Sequence, residues 1–367
     1  PEGRLCHHPD YDRSALDVRL VRVLAVVSEI FPLVKTGGLG DVTGALPLAL
    51  EELGVQTTSL VPGYPAVMRA LRHGTVAYTV RDLFGGEARL VRGWANGLDL
   101  LVIDAPHLFA RPGNPYVASD GQDWQDNATR FAALGRIAAD IGAGAIAGYL
   151  PDIVHAHDWP AGLAPALLHY HGGGVRPGTV MTIHNLAFPG KAPADQLSSY
   201  GLPPHAWSID GVEFHGAISF LKAGLRFADR ITTVSPAYAA EIQTVEGGMG
   251  FDGVLRMRGG DLSGILNGID TRVWAPSTDP TLAATFDRTT LSARVHNKSA
   301  LQARMGLTAQ DEFPLFGVVS RLTDQKGMDL LLSCLPEIRS LNAQWVVLGT
   351  GEPWIEKAFR AVASSDP

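Results

Sequence analysis

Cysteine is nearly missing: Cys6 and Cys334, at opposite ends of 367 residues, are the whole supply. Two distant thiols give neither a disulfide framework nor a metal-ligand spacing, so a reducing compartment is expected. No apolar run reaches the ~18 residues of a membrane span, and no signal-peptide core stands at the N-terminus, so no membrane partner is expected. Basic blocks are absent too, and the net charge is -7. Phosphate backbones need a dense cationic face, which excludes nucleic acid as the main partner. Lysine is scarce, 6 residues against 24 arginines. A lysine inside a glycine loop is then less of a casual surface charge, which draws attention to Lys35 and Lys326.

What is present is an ordinary globular composition, 46% hydrophobic and 18% charged, with length for about two domains. Residues 1–18 are polar and unpatterned and are expected to form a loose tail. The chain begins at Pro1 rather than Met, which suggests a processed or partial product.

The stretch Lys35-Thr36-Gly37-Gly38-Leu39-Gly40-Asp41 follows an apolar, β-branched strand, Val21–Val27, and leads into helix-like Leu46–Leu50. A strand, glycines and then a helix is how a chain presents backbone N–H groups to a phosphate, although a plain glycine-rich turn has the same pattern. Pro47 predicts a helix that starts just before it or kinks there. A second strand spans 57–61, and 75–103 read as a meander with turns at Gly85-Gly86 and Asn96-Gly97. The Pro-, Gly- and aromatic-rich 106–127 is a long loop of the kind that is often functional. Helix 131–146 is followed by strand 153–158, a helix to His169, strand 179–184, helix 217–227, strand 230–234 and a helix from Pro236. After a loop-rich connection, helix 291–304, strand 315–320, helix 328–340 and strand 345–348 open a second unit. This rhythm predicts an α/β fold with doubly wound parallel sheets.

Ligands in such sheets sit at the carboxyl ends of the strands. The groups there are the Lys35 loop, His155/His157/Asp158, His184-Asn185, Ser235, Arg321 to Lys326, and Gly349 to Gly351. A nicotinamide dehydrogenase fits poorly, because Gly38-x-Gly40 is followed by glycine only at Gly44 and the second strand ends without an acidic residue. A metal hydrolase would use His155, His157 and His184, but these histidines can equally bond loops at the sheet edge. A sugar-nucleotide transferase needs cations on a diphosphate. Metal-using forms carry Asp-x-Asp at a strand end, and the only such pair is Asp10-Tyr11-Asp12, in the tail. In that class Arg321 and Lys326 must replace the metal, or else they are two solvated charges.

Taken together, Lys35-Thr36-Gly37-Gly38-Leu39, His155-Ala156-His157-Asp158-Trp159, Thr182-Ile183-His184-Asn185-Leu186-Ala187-Phe188, Asn267-Gly268-Ile269-Asp270 and Ser320-Arg321-Leu322-Thr323-x-Gln325-Lys326-Gly327 resemble bacterial glycogen synthases and plant starch synthases. Smaller matches are Asp123-Trp124 with Asp126-Asn127, Ser219-Phe220-Leu221-Lys222-Ala223-Gly224, and Val234-Ser235-Pro236.

The resemblance implies a GT-B architecture, two Rossmann-like domains over a cleft. It divides the chain into an N-terminal catalytic domain (19–264), a connection (265–312) and the start of a nucleotide-sugar domain (313–367). It implies transfer of glucose from ADP-glucose to the 4-OH at the non-reducing end of an α-1,4-glucan, with retention, in the bacterial cytoplasm or a plant plastid stroma. Lys35 and the Gly37-Gly38 backbone would contact the donor diphosphate, and Asp41 and Asp158 would lie by the glucosyl and acceptor groups. His184 would face the sugar and Asn267 would approach the donor. Arg321 and Lys326 would neutralise departing ADP, and Gly349 and Gly351 would pass near the nucleotide. No cofactor or metal is expected beyond the ADP-glucose substrate. Because the family's C-terminal domain continues further, the chain is expected to be a fragment unable to complete turnover. Another GT-B transferase or phosphorylase, or a non-catalytic glucan- or nucleotide-binding module, are the alternatives.

Overall fold

The computed structural model describes residues 20–118, 121–171 and 176–365. The tail, with Cys6 and Asp10-Tyr11-Asp12, lies outside the described residues. The chain forms two α/β units, one running to Ile269 and the other from Asp270. Residues 270–312 of the expected connection therefore belong to the second unit.

In the first unit a nine-stranded sheet is built from β1 (Val21–Val26), β2 (Val55–Pro62), β3 (Arg72–Val80), β4 (Ala88–Ala95), β5 (Leu98–Asp104), β6 (Ile153–His157), β7 (Gly178–Ile183), β11 (Arg230–Thr233) and β12 (Leu262–Gly264). Three short strands, β8 (Lys191–Ala192), β9 (Glu213–Phe214) and β10 (Ala217–Ser219), form a separate ribbon. The large sheet runs β12-β11-β7-β6-β1-β2-β5-β4-β3. It is parallel from β12 through β5, and then antiparallel. The central strands are apolar on both sides because helices cover both faces; β5 is buried throughout. Successive strands leave β1 in one direction to β2 and in the other to β6. The crevice between the carboxyl ends of β1 and β6 is thus a switch point, where such sheets hold ligands.

Several boundaries differ from the sequence expectation. The first helix spans Gly38–Glu51 and holds Pro47 in its interior. Its buried side is Leu39, Gly40, Thr43, Gly44 and Pro47, and a side chain at Gly44 would meet the Phe31 carbonyl at 2.4 Å. Close backbone packing overrides the low helix propensity of glycine here. Residues 217–219 form a strand, and Ser219 then caps helix Phe220–Phe227 through the Lys222 N–H. Ser235, grouped with the strand-end candidates, likewise caps helix Pro236–Glu241.

The second unit contains a two-stranded parallel sheet, β13 (Leu315–Val319) and β14 (Gln344–Leu348). Pro336 divides the expected 328–340 helix into Met328–Ser333 and Leu335–Ile338. Its buried apolar core is Leu322, Met328 and Ile355. Among the described residues no helix is long and apolar enough to cross a membrane.

Candidate functional site

At the switch point the Lys35 loop is held from behind by a buried carboxylate. Glu29, three residues past β1, is 3% exposed. Its carboxylate accepts the Thr36 hydroxyl at 2.7 Å, the Thr36 N–H, the Gly37 N–H at 3.3 Å and the Tyr116 hydroxyl at 2.7 Å. Its carbonyl accepts the Thr43 hydroxyl at 2.7 Å, tying the helix to the same point. The Gly37 N–H therefore faces Glu29 in this structure, and Gly38 is the first residue of the helix. Nothing lies within 4 Å of where a side chain at Gly37 or Gly38 would stand, so the outer face of the loop is open. Lys35 pairs with Asp41 at 2.7 Å, both about one-third exposed.

Tyr116 comes from the long 106–127 loop, and that loop is braced. Buried Arg130 donates to the Pro115 carbonyl at 2.8 Å, and Asn127 donates to the Tyr116 carbonyl at 2.7 Å. Arg111 pairs with Asp126 and lies over Trp124. Glu29 and Tyr116 are functional candidates that the sequence reading missed. The available signal was a lone charge in the apolar run Ser28-Glu29-Ile30-Phe31.

The second group stands at the ends of β6 and β7. His157 Nδ1 and His184 Nε2 are 3.0 Å apart, and the rings of His155 and His157 are 4.0 Å apart. His155 Nε2 bonds the Thr182 hydroxyl at 2.6 Å, which bonds Thr232 in turn. These ring nitrogens face one another or a hydroxyl. Among the described residues no group of three or more His, Cys, Asp or Glu is arranged to hold a metal. Burial holds His155 down at about 4; burial, then the charge of His155, holds His184 at about 4. Burial, then the charges of His155 and His184, hold His157 well below the usual histidine range.

Asp158 follows with a left-handed φ of 55°, unusual for a side chain that is not glycine. Its Oδ1 accepts the backbone N–H of His184 at 2.7 Å and of Asn185 at 3.2 Å. Burial raises its pKa to about 7 against those two donors, and the charge of Glu29 adds to the rise. That influence links the two groups electrostatically. Asn267 is exposed beyond edge strand β12, and no hydrogen bond joins it to either group.

In the second unit Arg321 and Lys326 are both exposed on the loop after β13, with Arg321 Nη2 and Gln325 Oε1 3.4 Å apart. Gly349-Thr350-Gly351 runs alongside: Leu322 N–H donates to the Thr350 carbonyl at 2.9 Å. Side chains at Gly349 and Gly351 would meet the Ser320 and Leu322 carbonyls at 2.0 and 2.2 Å. Those glycines are thus demanded by backbone packing. The Gly351 N–H donates to Glu356 at 2.9 Å.

Comparison with known proteins matches residues 22–257 to the starch synthase catalytic domain family. The chain is 57% identical over 347 residues to the glycogen synthase of Acidiphilium cryptum, covering 95% of this chain and 72% of that one. It is 56% identical over 346 residues to glycogen synthase 2 of Bradyrhizobium diazoefficiens, covering 94% and 72%. Among solved structures, the catalytic domain of starch synthase IV from Arabidopsis thaliana, bound to ADP and acarbose, superposes with a TM-score of 0.84 at 31% identity. That match covers 95% of this chain and 72% of the other.

Proposed function

The chain belongs to the glycogen and starch synthase family of GT-B glycosyltransferases, and from that premise we propose that it transfers glucose from ADP-glucose to the 4-OH at the non-reducing end of an α-1,4-glucan. Configuration at the anomeric carbon is retained. The observation that carries this reading is the pairing at one switch point of an open glycine loop, backed by Glu29, with the His157–Asp158–His184 group.

In the reaction the bond from the glucosyl C1 to the diphosphate oxygen breaks, ADP leaves with the electron pair, and the acceptor 4-oxygen bonds C1 while its proton passes to the departing diphosphate. Lys35 and the N–H groups at the start of helix Gly38–Glu51 take diphosphate oxygens, since an uncapped helix start carries partial positive charge. Arg321 and Lys326 neutralise the leaving group, the role a divalent ion plays in metal-using transferases, so no metal or cofactor is required. His184, kept neutral by burial, faces the sugar without repelling the positive charge that develops at C1. Asp158, raised to about 7, can hydrogen-bond a sugar hydroxyl in either protonation state. Asp41 lies by the same groups, and Asn267, Gly349 and Gly351 approach the donor.

The test is incorporation of labelled glucose into glycogen from ADP-glucose and, separately, from UDP-glucose. Preference for ADP-glucose supports the reading. Saturable ADP binding without incorporation from either donor would leave a chain that binds the donor nucleotide but does not complete turnover, as expected of a fragment or of a binding module.

A further inference from the structure

The first unit holds a cavity of about 420 Å³ that no step of the transfer uses. It is lined by His169, Arg176, Arg226, Phe227, Asp229 and Arg258, among others. Arg176 and Asp229 precede β7 and β11, so the cavity lies at the amino ends of strands whose carboxyl ends carry the site. The six residues of β7 separate it from His184, roughly 20 Å at about 3.3 Å per residue.

The three guanidinium groups are not equivalent. Arg176 forms two bonds of 2.7 Å with Asp229. Arg258 donates to the carbonyls of Leu225, Arg226 and Ala228 and pairs with Asp261. Arg226 uses only Nε, on the Asp210 carbonyl at 2.7 Å, and both its Nη groups lack a protein acceptor among the described residues. The carboxylates are engaged: Asp229 by Arg176 and Thr179, Asp261 by Arg230 and Arg258. Three cations against two anions leave a surplus that falls on Arg226. Beside it the His169 ring packs on Phe227, with centroids 4.8 Å apart. Burial, then Arg176 and Arg226, hold His169 below the usual histidine range.

We infer that this cavity binds a phosphate monoester through the guanidinium fork of Arg226. A fork with two open N–H edges matches two phosphate oxygens, and the imidazole can add a third donor. The Phe227 and His169 faces offer an apolar wall to the organic part of the ester. The volume is that of a small-metabolite site.

The experiment is a titration of the whole protein, ¹⁵N-labelled at histidine, with inorganic phosphate and then ribose 5-phosphate. ADP is kept saturating so that the donor site is filled. His169 should shift saturably, and its own titration should move to higher pH when the anion is bound. Arg226→Gln should weaken binding at least tenfold, Arg226→Lys by less, and ADP affinity should be unchanged in both. If Arg226→Gln does not fold, Arg226→Lys and His169→Phe carry the comparison. A silent His169, an equal response of every histidine, or unchanged phosphate binding in the variants would each overturn the proposal.

Discussion

The glycine loop of the first unit and the Arg321–Lys326 loop of the second are each proposed to contact donor phosphate, yet they are held by opposite means. Behind the first stands a buried carboxylate that collects four donors, on a sheet whose central strands are covered on both faces. Behind the second are close backbone contacts at two glycines and a core of three buried side chains. Val319 and Leu348, on β13 and β14, are 81% and 65% exposed. The first loop is oriented by electrostatics and tolerates little change of charge; the second is positioned by sterics and tolerates little change of volume.

That contrast can be broken most directly at the cations. Lys326→Ala, and separately Lys35→Ala, should lower glucosyl transfer by about 10²–10³-fold, the usual loss for one preorganised charge on a leaving group. Initial rates with ADP-glucose decide it, and a loss under tenfold removes that residue from the assignment. Next is Glu29→Gln, which keeps shape and removes charge. It places an amide N–H₂ against donors, so stability should fall by about 2–3 kcal/mol and ADP affinity should drop, in urea unfolding and calorimetry. If the variant matches the native protein, the loop is not held electrostatically.

Gly349→Ala tests the steric side. It should cost about 1–3 kcal/mol, with hydrogen exchange accelerating only from residue 270 onward. Gly38→Ala, in open space, should cost little. Acid separates the units more gently. His155 and His184 sit near 4 in the folded chain against about 6.5 unfolded. The folded state binds fewer protons, so their stabilisation is full above pH 6.5 and is lost as pH falls towards 4. The slope is about 1.4 kcal/mol per pH unit for each group. Asp158, raised to about 7, acts oppositely over this range, but one carboxyl is outweighed by the histidines. The first unit should therefore lose protection first on acidification, read by hydrogen exchange at pH 7, 6 and 5.

Much of this was legible in the chain. Strand β1, the meander with its Asn96-Gly97 turn, and the glycine loop follow from periodicity and turn chemistry, and Asn96 and Gly97 both take positive φ. Less legible was the start of the first helix, because Gly38, Gly40 and Gly44 are poor helix formers; the Phe31 contact that selects them is tertiary. Strand β10 was hidden for a similar reason, since only one side of its ladder is local, to β9, and the other side depends on β8, some 25 residues away. The site's histidines were visible as residues, but not their mutual bonding. Glu29 and Tyr116 are 87 residues apart, and no local pattern announces that one hydroxyl closes on that carboxylate.

The carboxylate of Glu29 also sets a depth. An anion entering from the open side of the loop meets Lys35 and the helix start first, and a fixed negative charge beneath them. Coulomb attraction thus reverses to repulsion within a few ångströms, which makes Glu29 an electrostatic floor. Phosphates rest on the loop rather than sink into it. Replacing the floor by a neutral side chain removes both that stop and the anchor of the loop's donors, so a diphosphate is held less firmly and its sugar is aligned less well.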